Sequence, residues 1–89
     1  MSKQKVTQKI VILQSGFVFC GEVSQVPGSP DLVRVSNAYN IRVWGTTQGL
    51  GELALHGKRT ETKLDYYGVV TPYKHAVIAY IDCETEIKD

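Results

Sequence analysis

This chain is short of almost everything that would announce a function. Its 89 residues hold two cysteines, one tryptophan and three prolines, and no apolar run long enough to span a bilayer. Ten basic against nine acidic residues leave a formal net charge of +1. Each shortage excludes something. A protein that grips duplex DNA mainly through phosphates carries a clear basic excess, so duplex DNA is not an expected partner. Without an amphipathic basic helix, membrane attachment lacks support. Cys20, Cys83, His56 and His75 show no C-x-x-C or H-x-x-x-H spacing, so no metal site is expected. No serine sits in a nucleophile elbow, and the G-x-x-x-x-G-K lysine of a P-loop is missing. The inventory points away from an enzyme and implies no cofactor.

What remains describes an ordinary small domain. The hydrophobic content is 43%, normal for a globular chain, and no linker divides residues 1–89. Residues 1–8 and 84–89 are expected to be loose ends. A chain this small buries only about 60–65% of its unfolded surface, so oligomerisation is the expected source of added stability. Cys20 and Cys83 lie far apart, each in an apolar run. They read as buried thiols of a cytoplasmic protein, with chance apposition of the two left open.

Strand signals dominate. Lys9 to Gln14 is a continuous apolar run, as in a strand buried on both faces. Ser15-Gly16 predicts a tight turn, and Phe17 to Val26 a second strand bent or bulged at Gly21. Pro27 to Asp31 is a turn. Leu32 to Val35 and Asn40 to Trp44 read as two further strands separated by a break or bend at Asn37-Ala38. Leu50, Leu53 and Ala54 have helical spacing, with Gly57 as the cap. Leu64 to Val70 and Ala76 to Cys83 close the fold around Pro72. The expected architecture is mainly β: a small SH3/Sm-like antiparallel barrel of about five to six strands with one short helix. An open sheet with the helix across it is the alternative.

The most informative stretch runs from Leu32 to Gly57. Alternation along a strand puts Tyr39, Ile41 and Val43 on one face and Asn40, Arg42 and Trp44 on the other. An indole, a guanidinium and an amide in a row suit a flat polar ligand: Trp44 to stack, Arg42 to meet phosphate, Asn40 to select the ring. The loop Gly45 to Gly49 leads into a helix, so Thr46 and Thr47 with nearby backbone N–H groups are candidate anion donors. Lys58 and Arg59, just beyond the helix, are candidate phosphate partners. The bland readings are a core tryptophan, a solvated arginine, a flexible loop and charges matched to a helix dipole. Glu52 and His56, four apart on the helix, read as a surface pair. An exposed tyrosine among Tyr66, Tyr67 and Tyr73, near Lys74-His75, would suit an oligomer interface or a ligand wall.

One ordered pattern carries a resemblance: Gly16-Phe17, Phe19 and Gly21; Val33, Val35, Asn37, Ala38, Ile41 and Trp44; Leu50, Leu53, Ala54 and Gly57; then Val77-Ile78. It resembles a family of small phage and prophage proteins of unknown function. Where that family carries aromatics on both sides of the position before the tryptophan, this chain has Arg42-Val43-Trp44-Gly45. The resemblance implies phage origin, a barrel-like fold and a host-cell cytoplasmic setting; it implies no activity.

Three functions follow as expectations. The first is non-enzymatic capture of a small nucleotide-like anion by a homo-oligomer, as a counter-defence sponge for a signalling nucleotide. The others are a protein–protein adaptor or inhibitor of a host protein, and an Sm-like binder of single-stranded nucleic acid.

Overall fold

The computed structural model describes residues 6–89. Residues 1–5, part of the expected loose N-terminal end, lie outside the described residues. Five strands form one antiparallel sheet: β1 (Gln8–Leu13), β2 (Val18–Gln25), β3 (Val33–Val43), β4 (Lys63–Val70) and β5 (Val77–Asp82). Their order is β4-β3-β2-β1-β5. A single helix, α1 (Leu50–His56), joins β3 to β4, and a 3-10 turn at Lys74–Ala76 precedes β5. β4 and β5 are the two edges and do not pair with each other, so the ladder is open.

β1 is buried on both sides, as a continuous apolar run requires: Ile10 and Val11 are adjacent and both fully inaccessible. They point to opposite faces and anchor separate cores. On one face Ile10, Cys20, Ile41 and Leu64 pack under Leu50, Leu53 and Ala54 of α1, the predicted helical face. On the other, Val11, Leu13, Phe19, Val35 and Ala38 pack together. Gly57 ends the helix with φ 81° and its N–H bonded to the Leu53 carbonyl.

The irregularity expected at Asn37-Ala38, a break or bend, is a bulge inside one strand. β3 runs 11 residues without stopping. Asn37 takes φ 51°, the only positive φ among described non-glycine residues. The pairing with both neighbours slips by one residue here. Val35 and Ala38 are an odd number of residues apart yet enter the same core, which only an extra residue permits. Gly21 sits opposite the bulge, as the irregularity expected there anticipated. A Cβ on Gly21 would lie 2.6 Å from a Val35 methyl and 2.7 Å from the Ser36 carbonyl oxygen. Merging the two predicted strands explains why five are present.

The last residues are tied down rather than loose. Ile87 is fully buried. Its N–H donates to the Gln8 side-chain oxygen at 2.6 Å, and its carbonyl accepts from the Gln8 amide at 2.8 Å. Glu84 and Thr85 donate their N–H groups to the Ala54 carbonyl, and the Thr85 hydroxyl donates to that of Leu55. These bonds satisfy carbonyls that the helix end leaves open. Among the described residues, no helix is long and apolar enough to cross a membrane.

Candidate functional site

The alternation along β3 holds through Arg42. Tyr39 and Ile41 face the helix-side core; Asn40 and Arg42 face the other way. Their surroundings differ from the expected ligand shelf. Asn40 is buried, and its amide donates to the Val18 carbonyl across the sheet at a long 3.4 Å. It is a strand-packing residue here, with no reach toward a ring outside. Arg42 is well exposed, but its guanidinium donates to both Asp65 oxygens, at 2.8 and 3.4 Å. Asp65 lies opposite Asn40 on β4, so sheet register places that carboxylate within reach. Val43, expected to share a face with Tyr39 and Ile41, is 43% exposed.

Trp44 lies just past the end of β3 and is also 43% exposed. Its carbonyl accepts the buried Thr62 hydroxyl at 2.7 Å, and Thr62 Oγ1 in turn accepts the Arg59 N–H at 3.0 Å. Gly45 permits this clasp. With φ 67°, it comes so near that a Cβ would lie 2.3 Å from the Glu61 carbonyl carbon. The Trp44 backbone is thus clasped while the residue stays partly exposed.

The loop after Trp44 is an anion site that the chain fills itself. One carboxylate oxygen of Glu52 accepts the Thr47 N–H at 3.2 Å, the Gln48 N–H at 3.1 Å and the Thr47 hydroxyl at 3.3 Å. Its other oxygen pairs with Arg59 at 2.9 Å. Thr46 spends its hydroxyl on the Gly49 carbonyl. Lys58 sits 3.7 Å from Asp89. Burial raises the Glu52 carboxyl, but the Gln48 and Thr47 donors and Arg59 outweigh it and hold the group below the usual carboxylate range. Glu52 thus pairs with Arg59 and the loop rather than with His56. The sequence did carry a signal for this. Glu52 is the third helical residue after Gly49, the position from which a glutamate reaches back over its own helix start.

The seven candidates therefore divide. Thr47 and Arg59 meet on Glu52. Arg42 and Asn40 share a strand face, Trp44 is joined to Arg59 through the Thr62 hydroxyl, and Thr46 and Lys58 make separate local contacts. Among the described residues no three metal-capable side chains gather. Cys20 and Cys83 are free thiols in the same core. Burial, reinforced by the nearness of Cys83, pushes Cys20 up to about 12; burial, with Asp82 adding to it, pushes Cys83 up to about 11. Both are inert at neutral pH.

Two surface features were not anticipated. A cavity of about 600 Å³ opens beside the chain's end, lined by Gln8, Glu22, Tyr39, Tyr66, Glu86 and Asp89 among others. It contains none of the seven candidates, and among its charged residues Glu22, Glu86 and Asp89 outnumber Lys88. The second feature lies on the sheet face away from α1. Phe17 stacks on Phe19 with ring centroids 5.8 Å apart, and Tyr67 meets Phe19 edge-on at 5.5 Å. Phe19 is buried, while Phe17 and Tyr67 are 49% and 51% exposed. Two half-open aromatic rings rest on a buried third, and Arg42–Asp65 shares this sheet face.

No family model, curated protein or solved structure matches this chain.

Proposed function

We propose that this chain is a non-enzymatic protein-binding module whose contact surface is the aromatic face of β2 and β4. The observation that carries this reading is the Phe17–Phe19–Tyr67 cluster. Aromatic rings fixed by packing lose little freedom on binding, and such rings dominate the energetics of protein interfaces. The salt-bridged Arg42 and Asp65 give the same face a polar component. If the chain is phage-encoded, as the sequence pattern suggests, the partner is a host protein and the module an adaptor or inhibitor. The sheet, buried on both faces, is read as curled part-way toward an SH3/Sm-like barrel.

Capture of a small nucleotide-like anion has the exposed Trp44 indole and the Thr47 and Gln48 donors in its favour. It also requires Glu52 to leave those donors, and Arg42, Lys58 and Arg59 to give up their carboxylates. Single-stranded nucleic acid makes the same demand of Arg42. The protein-binding reading requires no such exchange.

The test compares proteins captured by wild type with those captured by a Phe17→Ala/Tyr67→Ala variant. The expected result is a partner enriched by wild type and lost from the variant, with no nucleotide raising the melting temperature of either. A nucleotide that raises it, and fails to once Arg42 and Trp44 become alanine, would overturn this reading in favour of capture.

A further inference from the structure

We propose that the cavity beside the chain's end is a binding site for a linear polyamine, an aliphatic chain carrying two or more ammonium groups. The inference goes beyond the partner-binding reading and does not depend on it, because the cavity and the Phe17–Phe19–Tyr67 cluster share no residue. The walls come from distant parts of the chain. Gln8 lies opposite Glu22 across β1 and β2, and Tyr39 lies opposite Tyr66 across β3 and β4. The last residues close another side: Ile87 is fixed to Gln8 by two hydrogen bonds and carries Glu86 and Lys88 on either side of it. The volume of about 600 Å³ falls within the range of small-molecule sites, about 300–1,000 Å³.

Three features select the ligand. The first is the sign of the charge. Glu22 and Glu86 are exposed and have no hydrogen-bond or ion-pair partner among the described residues. Asp89 lies 3.7 Å from Lys58, and Lys88 is the one cation in the described lining. Negative charge prevails, so a cation is favoured over an anion.

The second feature is aromatic. The Tyr39 and Tyr66 rings meet with centroids 5.2 Å apart and planes at 65°, a corner rather than a flat wall. Tyr39 packs against the helix-side core and Tyr66 is 63% exposed. Ring faces attract ammonium groups, and a chain of methylenes packs on the same rings. The third feature is spacing. Among the described residues no three metal-capable side chains gather, so Glu22, Glu86 and Asp89 stand apart around the cavity instead of converging on one point. A divalent metal needs convergent oxygens. A polyamine holds its charges several ångströms apart and meets two separated carboxylates at once. Asn37, whose positive φ marks the β3 bulge, adds an amide oxygen to the lining.

The test is calorimetric titration of the full chain with spermidine, with butylamine and magnesium chloride as comparisons. The expected result is saturable spermidine binding that shifts the Tyr39 and Tyr66 ring protons in NMR, with butylamine and magnesium binding far more weakly. Glu22→Gln with Glu86→Gln should weaken binding by about three- to tenfold, as expected for two exposed ion pairs. Tyr66→Ala should weaken it by about two- to fivefold, the scale of an exposed cation–π contact. Lys88→Ala should tighten it, because a like charge leaves the lining. Glu61→Gln, at an exposed carboxylate outside the cavity, should change nothing. All these positions are exposed, and circular dichroism of each variant should match wild type. No binding at millimolar spermidine overturns the proposal, as does magnesium binding as tightly as spermidine. So does spermidine binding that ignores the Glu22, Glu86 and Tyr66 substitutions, or a cavity that takes a lysine-rich peptide but no free polyamine. None of these readouts involves Phe17 or Tyr67, so this proposal and the partner-binding reading fail separately.

Discussion

The two faces of the sheet solve the same problem in opposite ways. The helix-side face is closed by the chain itself: α1 lies on Ile10, Cys20, Ile41 and Leu64, and Ile87 plugs the end. Even its anion-binding loop is occupied, by Glu52. The other face buries Val11, Val35 and Ala38 completely but leaves Phe17 and Tyr67 half open. The helix-side core is covered by α1 and Ile87, with Leu55 and Tyr66 left exposed on that side, whereas the aromatic face leaves rings half open on a buried one, apolar area whose burial would yield free energy only on contact with another molecule.

This contrast breaks most readily from the closed side. Leu53 is fully buried between helix and sheet, so Leu53→Ala should cost about 2–5 kcal/mol in chemical denaturation. A loss below about 1 kcal/mol would mean that the helix is not the lid described. Gln8→Ala should come next, at about 1–3 kcal/mol, because it strands the buried N–H and C=O groups of Ile87. Amide exchange should then accelerate in residues 84–89 before it does in β1. On the open side, Phe17→Ala and Tyr67→Ala should each cost about 1 kcal/mol or less, since each ring is already half in water.

The smallest effect is electrostatic. Glu52 is held below its ordinary carboxylate value in the folded chain. Its contribution is therefore present above the unfolded-state value and is lost as pH falls through the folded one. Melting temperature followed from neutral to acid pH should fall less for Glu52→Gln than for wild type. Parallel curves would show that the loop does not depend on this carboxylate. The thiols sharpen the same contrast: a thiol reagent at neutral pH should leave Cys20 and Cys83 unmodified until the chain unfolds.

Local patterns in the sequence foretold most of the fold, and the exceptions share a cause. β1, the Ser15-Gly16 turn, the Gly21 irregularity, α1 and its Gly57 cap all follow from short-range apolar spacing and backbone freedom. Asn37-Ala38 reads as a break or bend because a residue tolerant of positive φ marks a turn and a bulge alike. Only the pairing of β3 with both neighbours tells them apart. Ile87 was hidden for a similar reason: a single apolar residue amid Glu84, Glu86, Lys88 and Asp89 has no period to detect. The candidate site was less legible still. Alternation placed Asn40 and Arg42 correctly on one face, but residue type says nothing about whether a charge is already spent. Asp65 and Glu52, which spend Arg42 and Arg59, are 23 and 7 positions away. The aromatic face depends on Phe17 and Tyr67 meeting over Phe19, from strands far apart in the chain.

The most direct test of the central claim is side-chain footprinting of the chain in cell lysate against the purified protein in buffer. The account predicts that labelling falls at Phe17 and Tyr67, while Leu55, exposed on the helix side, keeps its own. Protection of Trp44 with Thr46 and Thr47 and an unchanged aromatic face would contradict it, and would return the site to the tryptophan loop.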